Sequence, residues 1–110
     1  MSRSKGDAAE KQSCEYLISR GFKIIEQNFY AKKMGEIDII AQKDDVYHFC
    51  EVKSAQEYEI AVQNITTSKL SKLKRSVEYY IQTKKLNTAY VIDAIIVVDN
   101  EIEFLENITL

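Results

Sequence analysis

Asp38 and the triplet Glu51-Val52-Lys53 set acids inside two β-rich stretches joined by a short polar break. Gly35-Glu36-Ile37-Asp38-Ile39-Ile40-Ala41 is apolar apart from its two carboxylates. Val46-Tyr47-His48-Phe49-Cys50-Glu51-Val52-Lys53 is rich in β-branched and aromatic residues. Between them Lys43-Asp44-Asp45 is polar and turn-forming. With Asp44-Asp45 as a two-residue turn, residue 43 pairs with 46 and the register carries 38 opposite 51. Directly opposed residues share a sheet face, with Cβ atoms about 4.5–5.5 Å apart. Period-2 alternation adds Lys53 to the Glu51 face and sends His48 to the other. Like charges opposed across a ladder destabilise it, so this register calls for a cation or a proton between the acids. A divalent metal between the carboxylates, with an ammonium alongside, suits phosphodiester hydrolysis.

The 110 residues suffice for one compact domain and not for two. A hydrophobic share of 45% and a charged share of 29% belong to a soluble globular protein. No stretch is apolar for long enough to span a bilayer. Met1-Ser2-Arg3-Ser4-Lys5-Gly6-Asp7 lacks the apolar core of a signal peptide. Cys14 and Cys50 fall inside patterned elements without metal-ligand spacing and read as reduced core residues, so the expected compartment is cytoplasmic. The net charge of −2 argues against avid nonspecific nucleic-acid binding. The charge is uneven, however: Lys69, Lys72, Lys74, Arg75, Lys84 and Lys85 crowd one segment, and Lys32 and Lys33 precede the first acids. That basic run is either a solvated helix face or a surface for a phosphate backbone.

The pattern predicts a helix from about Ala8 to Arg20, capped by Asp7 and stopped by Gly21. A strand from Phe22 to Phe29 and a basic turn, Ala31 to Met34, lead into the hairpin. Ser54 to Ile65 is weakly patterned and reads as a loop. Thr66 or Thr67 caps a second helix reaching about Lys85, with Leu70, Leu73, Val77 and Ile81 at helical spacing. Tyr90 to Val98 reads as a strand covered on both faces, and Asp99-Asn100 turns into a last short strand, Glu101 to Leu105. The expected order is α-β-β-β-α-β-β, an α/β fold with a central mixed sheet flanked by helices.

Glu10 lies on the helix face shared with Cys14 and Leu17, which should pack on the sheet. A carboxylate there is costly unless it is paired or metal-bound. Glu10 therefore either snorkels at the rim of the first turn or joins the hairpin acids. As structural residues, Asp38 and Glu51 would need ion-pair partners, with Lys53, Lys32 and Lys33 as candidates. Glu36 shares a face with Asp38 nearer the strand end, as an outer ligand or a solvated acid. A lone strand histidine such as His48 is expected to be packed, not catalytic. Asp93 interrupts an apolar run and reads as a hydrogen-bonded structural acid.

These residues resemble the PD-(D/E)XK nuclease superfamily. More narrowly, almost the whole chain is similar to the YraN-like family of small predicted endonucleases, themselves similar to archaeal Holliday-junction resolvases. The matching parts are Gly6 with Ala9-Glu10, Gly21-Phe22 with Asn28, the block Gly35 to Ala41, Phe49 with Glu51-Val52-Lys53, Lys69, and Asp93. The resemblance implies a restriction-endonuclease-like fold over residues 1–110. It implies that Asp38 and Glu51 bind Mg²⁺ or Mn²⁺ with the Val52 carbonyl, that Glu10 also serves the metal, and that Lys53 positions or activates water. Tyr30 and Ser54-Ala55 stand where the family usually has an arginine and Thr-Arg, both candidates for phosphate contact.

The expected function is a metal-dependent endonuclease acting on nucleic acid, DNA first and branched DNA among its forms. The catalytic set is Asp38, Glu51, Lys53 and Glu10, and Lys32, Lys33, Lys69 and Lys72 are the backbone contacts. A homodimer is one assembly this allows. The alternatives are a nucleic-acid-binding module that cleaves little or not at all, and an interaction domain whose acids are structural.

Overall fold

The computed structural model describes residues 4–108. The reading of the N-terminus as free of a signal sequence falls partly on residues 1–3, outside the described residues. Helix α1 (Ser4–Ser19) precedes strands β1 (Lys23–Tyr30), β2 (Glu36–Lys43) and β3 (Val46–Ser54). Helices α2 (Tyr58–Gln63) and α3 (Thr67–Lys84) then cross over to β4 (Ala89–Val98) and β5 (Glu101–Leu105). One mixed sheet runs in the order β1-β2-β3-β4-β5, antiparallel except for the parallel β3–β4 pair. The expected α/β class and order hold, with two refinements. Helix α1 begins at Ser4, so Asp7 lies in its first turn, where it favours the helix dipole without being the cap. The segment expected as a loop contains α2, whose six residues bury only Ala61. A turn and a half with one buried residue leaves too short a period to read.

The hairpin turn is as expected. Asp44 and Asp45 both adopt positive φ, 52° and 64°, and Lys43 pairs with Val46. This geometry matches the twist of the flanking strands, and aspartate tolerates it better than most residues do. Thr66 caps α3 by accepting the Lys69 N–H at 3.2 Å.

The sheet buries both faces. Against α1 pack Ile39, Ala41, Cys50, Ile95 and Val97, together with Cys14 and Leu17. Against α3 pack Ile37, Ile40, Phe49 and Ile92, facing Leu73, Val77 and Tyr80. Ala94 and Ile96 meet Ala61 of α2. Residues 92–97 of β4 are therefore buried without a break, as their apolar run, interrupted by Asp93 alone, requires. Cys14 and Cys50 are buried free thiols, as expected.

Both long helices end alike. Gly21 at φ 91° lets the N–H groups of Gly21 and Phe22 reach the carbonyls of Ile18 and Leu17, each at 3.0 Å. Lys85 does the same for α3 at φ 53°, with its own N–H on Gln82 O and that of Leu86 on Ile81 O. A lysine carries a steric cost in this left-handed region that glycine avoids. Lys85→Gly is expected to raise unfolding stability by about 0.5–1 kcal/mol, read as a higher denaturant midpoint at unchanged slope.

Candidate functional site

The β2–β3 ladder stops one step before the acids meet. Its last pair is Ile39↔Cys50, after which β3 runs on beside β4 as far as Ser54↔Val97, while β2 stays paired with β1 to Tyr30↔Glu36. The two strands part, and Asp38 sits in the fork. Its Oδ2 accepts the Val52 N–H at 2.8 Å, so the side chain replaces the missing ladder partner. Asp38 and Glu51 are thus neighbours across a fork rather than an opposed ladder pair. The side-chain alternation of β2 also breaks here. Ile37 and Ile40 face α3 while Ile39 and Ala41 face α1. The β1–β2 ladder steps from Gln27↔Ile39 to Phe29↔Ile37, and Asn28, between the first members of those pairs, has φ 53°.

Asp38 has its pKa raised from 3.8 to about 7. Burial is the largest cause, followed by the nearby Glu51 charge; the Val52 N–H opposes both, and Glu10 and Glu36 add further repulsion. Glu10 is 9% exposed on the core face of α1, so that helix brings a third acid toward the fork. Lys53 Nζ lies 3.1 Å from Glu51 Oε2, with both side chains partly exposed. Glu36 is exposed at the strand end.

Glu51 and Lys53 open into a groove of about 230 Å³ between β3 and the first half of α3. Lys69 and Lys72 line it with Glu36 and Ser76. Two of the four lysines expected as backbone contacts therefore join the Glu51–Lys53 pair. Lys32 and Lys33 do not. They are exposed on a 3-10 turn whose next residues, Met34 and Gly35, form the groove wall, and Lys32 Nζ lies 5.8 Å from the Tyr79 ring centre. Ser76 was missed from sequence. Its buried hydroxyl is within hydrogen-bond distance of Met34 O (3.2 Å) and Lys72 O (3.1 Å), and so ties that turn to α3. A serine in the apolar stripe Leu73-Ser76-Val77-Tyr80 was the signal for it.

His48 and Asp93 form a separate buried pair at 2.6 Å on the α1 face. Asp93 also accepts the Asn107 N–H at 2.8 Å. They anchor the segment after β5, so the packed histidine and the structural acid are both as expected.

The profile of Uncharacterised protein family UPF0102 matches residues 9–97. The chain belongs to the UPF0102 family. A UPF0102 protein of Aliarcobacter butzleri (strain RM4018) is 62% identical over 110 residues, covering all of both chains. One from Sulfurimonas denitrificans (strain ATCC 33889 / DSM 1251) is 53% identical, also over the whole of both. One from Helicobacter hepaticus (strain ATCC 51449 / 3B1) is 50% identical over 109 residues, 99% of this chain and 97% of its own. The UPF0102 match spans every acid of the fork, Lys53 and both groove lysines. Among the described residues no helix is long and apolar enough to cross a membrane.

The fork is an all-oxygen donor set with a charge problem. Among the described residues no group of three or more His, Cys, Asp or Glu side chains is arranged to hold a metal ion. Two carboxylates and a main-chain carbonyl suit Mg²⁺ or Mn²⁺ that keeps part of its water shell, not a fully dehydrated cage. Without a cation, a proton on Asp38 relieves the repulsion. The sign follows. The folded protein holds that proton up to pH about 7, whereas an unfolded chain releases it near the model-peptide value of 3.8. Asp38 therefore contributes stability fully at low pH, and the contribution is lost as pH rises through about 7. Asp38→Asn, which keeps an acceptor for Val52 N–H, is expected to remove up to about 1.4 kcal/mol per pH unit of that slope. Melting curves from pH 4 to 8 in the absence of divalent metal test this; identical slopes in the two proteins would refute it.

Proposed function

We propose that this UPF0102 protein is a metal-dependent nuclease of the PD-(D/E)XK type. The observation that carries the reading is the fork itself: Asp38, raised to about pKa 7, lies beside Glu51, and Glu51 lines a groove with Lys53, Lys69 and Lys72. Asp38 and Glu51, with the Val52 carbonyl, would hold Mg²⁺ or Mn²⁺, and Glu10 would bear on the ion from α1. Bound there, the ion would supply Lewis-acid polarisation of the phosphodiester and of water.

The chain's own residues account for the rest. The Val52 N–H orients the Asp38 carboxylate by a hydrogen bond. Lys53 offers an ammonium to developing negative charge and is held near it by Glu51. Exposed Lys69 and Lys72 attract and position the phosphate backbone. Nucleic acid is the substrate class this favours, as a polyanion whose phosphates the groove lysines can hold, and DNA is the form the family resemblance implies.

A second reading, a nucleic-acid-binding module with no turnover, is favoured by one observation. Lys53 is 3.1 Å from Glu51 and so already has an anionic partner. Cleavage separates the two readings. Calorimetry should find Mn²⁺ binding that weakens below pH 7, where Asp38 is protonated, and that Asp38→Asn abolishes. Glu10→Gln should weaken it without unfolding the protein. Lys53→Ala should keep Mn²⁺ and DNA binding while lowering cleavage by about 10²-fold, with little rescue by Lys53→Arg. Wild-type protein that binds metal and DNA but cuts no nucleic acid would establish the second reading. Absence of Mn²⁺ binding at millimolar concentration would remove both the metal and the nuclease.

A further inference from the structure

Two unlike clefts flank the carboxyl end of β3. Consecutive strand residues point to opposite faces, so Lys53 lines the groove against α3 and Ser54 lines a cleft against α1. The groove is cationic. The cleft, about 260 Å³, has no lysine or arginine among its described lining residues. Gln12, Ser54, Gln56 and Asp99 surround a floor of alanines and Val97. The Gln12 amide nitrogen lies 3.5 Å from the Asp99 carbonyl oxygen, a long contact at the rim of the cleft.

A nucleic-acid strand has the same asymmetry. Its backbone is anionic, and its bases are neutral, flat and edged with both donors and acceptors. Amides and a hydroxyl offer donors and acceptors together. The Asp99 carboxylate repels phosphate but accepts a hydrogen bond from an exocyclic amino group. Small floor residues leave room for a flat ring to lie on the surface. The cleft is large enough for one base and too small for a duplex.

We infer that the α1-side cleft receives an unpaired nucleobase while the α3-side groove holds the adjoining backbone. The substrate is then nucleic acid with an unpaired nucleotide beside the phosphate at the fork. This rests on the nucleic-acid reading above and adds to it which structure is chosen and which residues choose. A paired base reaches the cleft only by unpairing and unstacking, a cost that a base already outside the stack does not carry.

The test uses the full chain with Ca²⁺, and fluorescein-labelled DNA read by anisotropy. Three duplexes differ at one position: fully paired, a single-nucleotide bulge, and the same bulge lacking its base. The base-bearing bulge should bind about tenfold more tightly than the abasic one, the scale of a good polar base contact. The double substitution Gln12→Ala and Gln56→Ala should shrink that ratio to within about twofold and leave abasic binding unchanged. Lys69→Ala with Lys72→Ala should weaken all three by a similar factor, as loss of phosphate contacts does. Equal wild-type binding to all three overturns the base cleft and spares the backbone groove. Discrimination that survives the glutamine substitutions also overturns it, because the base is then read elsewhere. Failure to bind any of the three overturns this inference and the nucleic-acid reading together.

Discussion

The hydrogen bond from Val52 N–H to the Asp38 carboxylate, 2.8 Å long, is the contact around which the rest is arranged. Where β2 and β3 part, an inward-facing backbone N–H loses its ladder acceptor. Leaving it unpaired would cost about 1–3 kcal/mol. A carboxylate is a strong acceptor for it, and it also keeps the parted strands at a fixed spacing. The consequence is electrostatic. The acid that closes the fork is half-buried beside Glu51, with Glu10 arriving from α1, so its ionised form is disfavoured up to about pH 7. The structural solution at the fork creates the place where a cation or a proton is needed.

The helices set what surrounds that place. Helix α1 lies on one face with Glu10 among its core residues, and α3 lies on the other with Lys69 and Lys72 exposed beside Lys53. Ser76 fastens the 3-10 turn before β2 to α3, which fixes the groove wall. A net charge of −2 therefore conceals a sharply divided site, with acids in the fork and lysines on one flank. On the α1 side, Asp99 is the one charged residue among the described lining residues of the second cleft. Ion pairing at the rim contributes little to stability, since Glu51 and Lys53 both reach solvent. Their placement matters for what can bind rather than for holding the fold.

Much of the architecture was legible because its signals are local. Positive φ at Asp44-Asp45 and at Gly21, the Thr66 cap and the apolar run of β4 each depend on a few neighbouring residues. The misses have physical reasons. Helix α2 buries a single residue and so leaves no pattern. The start of α1 at Ser4 lies ahead of its apolar stripe, where an acid at position 7 mimics a cap. Partnership between His48 and Asp93 joins residues 45 apart in sequence, and nothing local marks it.

The sequence by itself determined that Asp38, Glu51 and Lys53 would lie close together, because a two-residue turn and period-2 alternation leave one register. It also put Glu10 on the helix face of Cys14 and Leu17, and the tertiary structure then buried that acid instead of letting it snorkel to water. Only the tertiary structure decided that the ladder stops at Ile39↔Cys50 and that Asp38 bonds to a backbone N–H instead of facing Glu51 across the sheet. It alone chose Lys69 and Lys72 over Lys32 and Lys33 for the groove. Periodicity assigns a residue to a face. Where strands part, and which exposed lysines share a groove, depend on how β3 turns away to pair with β4 and on the angle at which α3 crosses the sheet, and no local pattern encodes either.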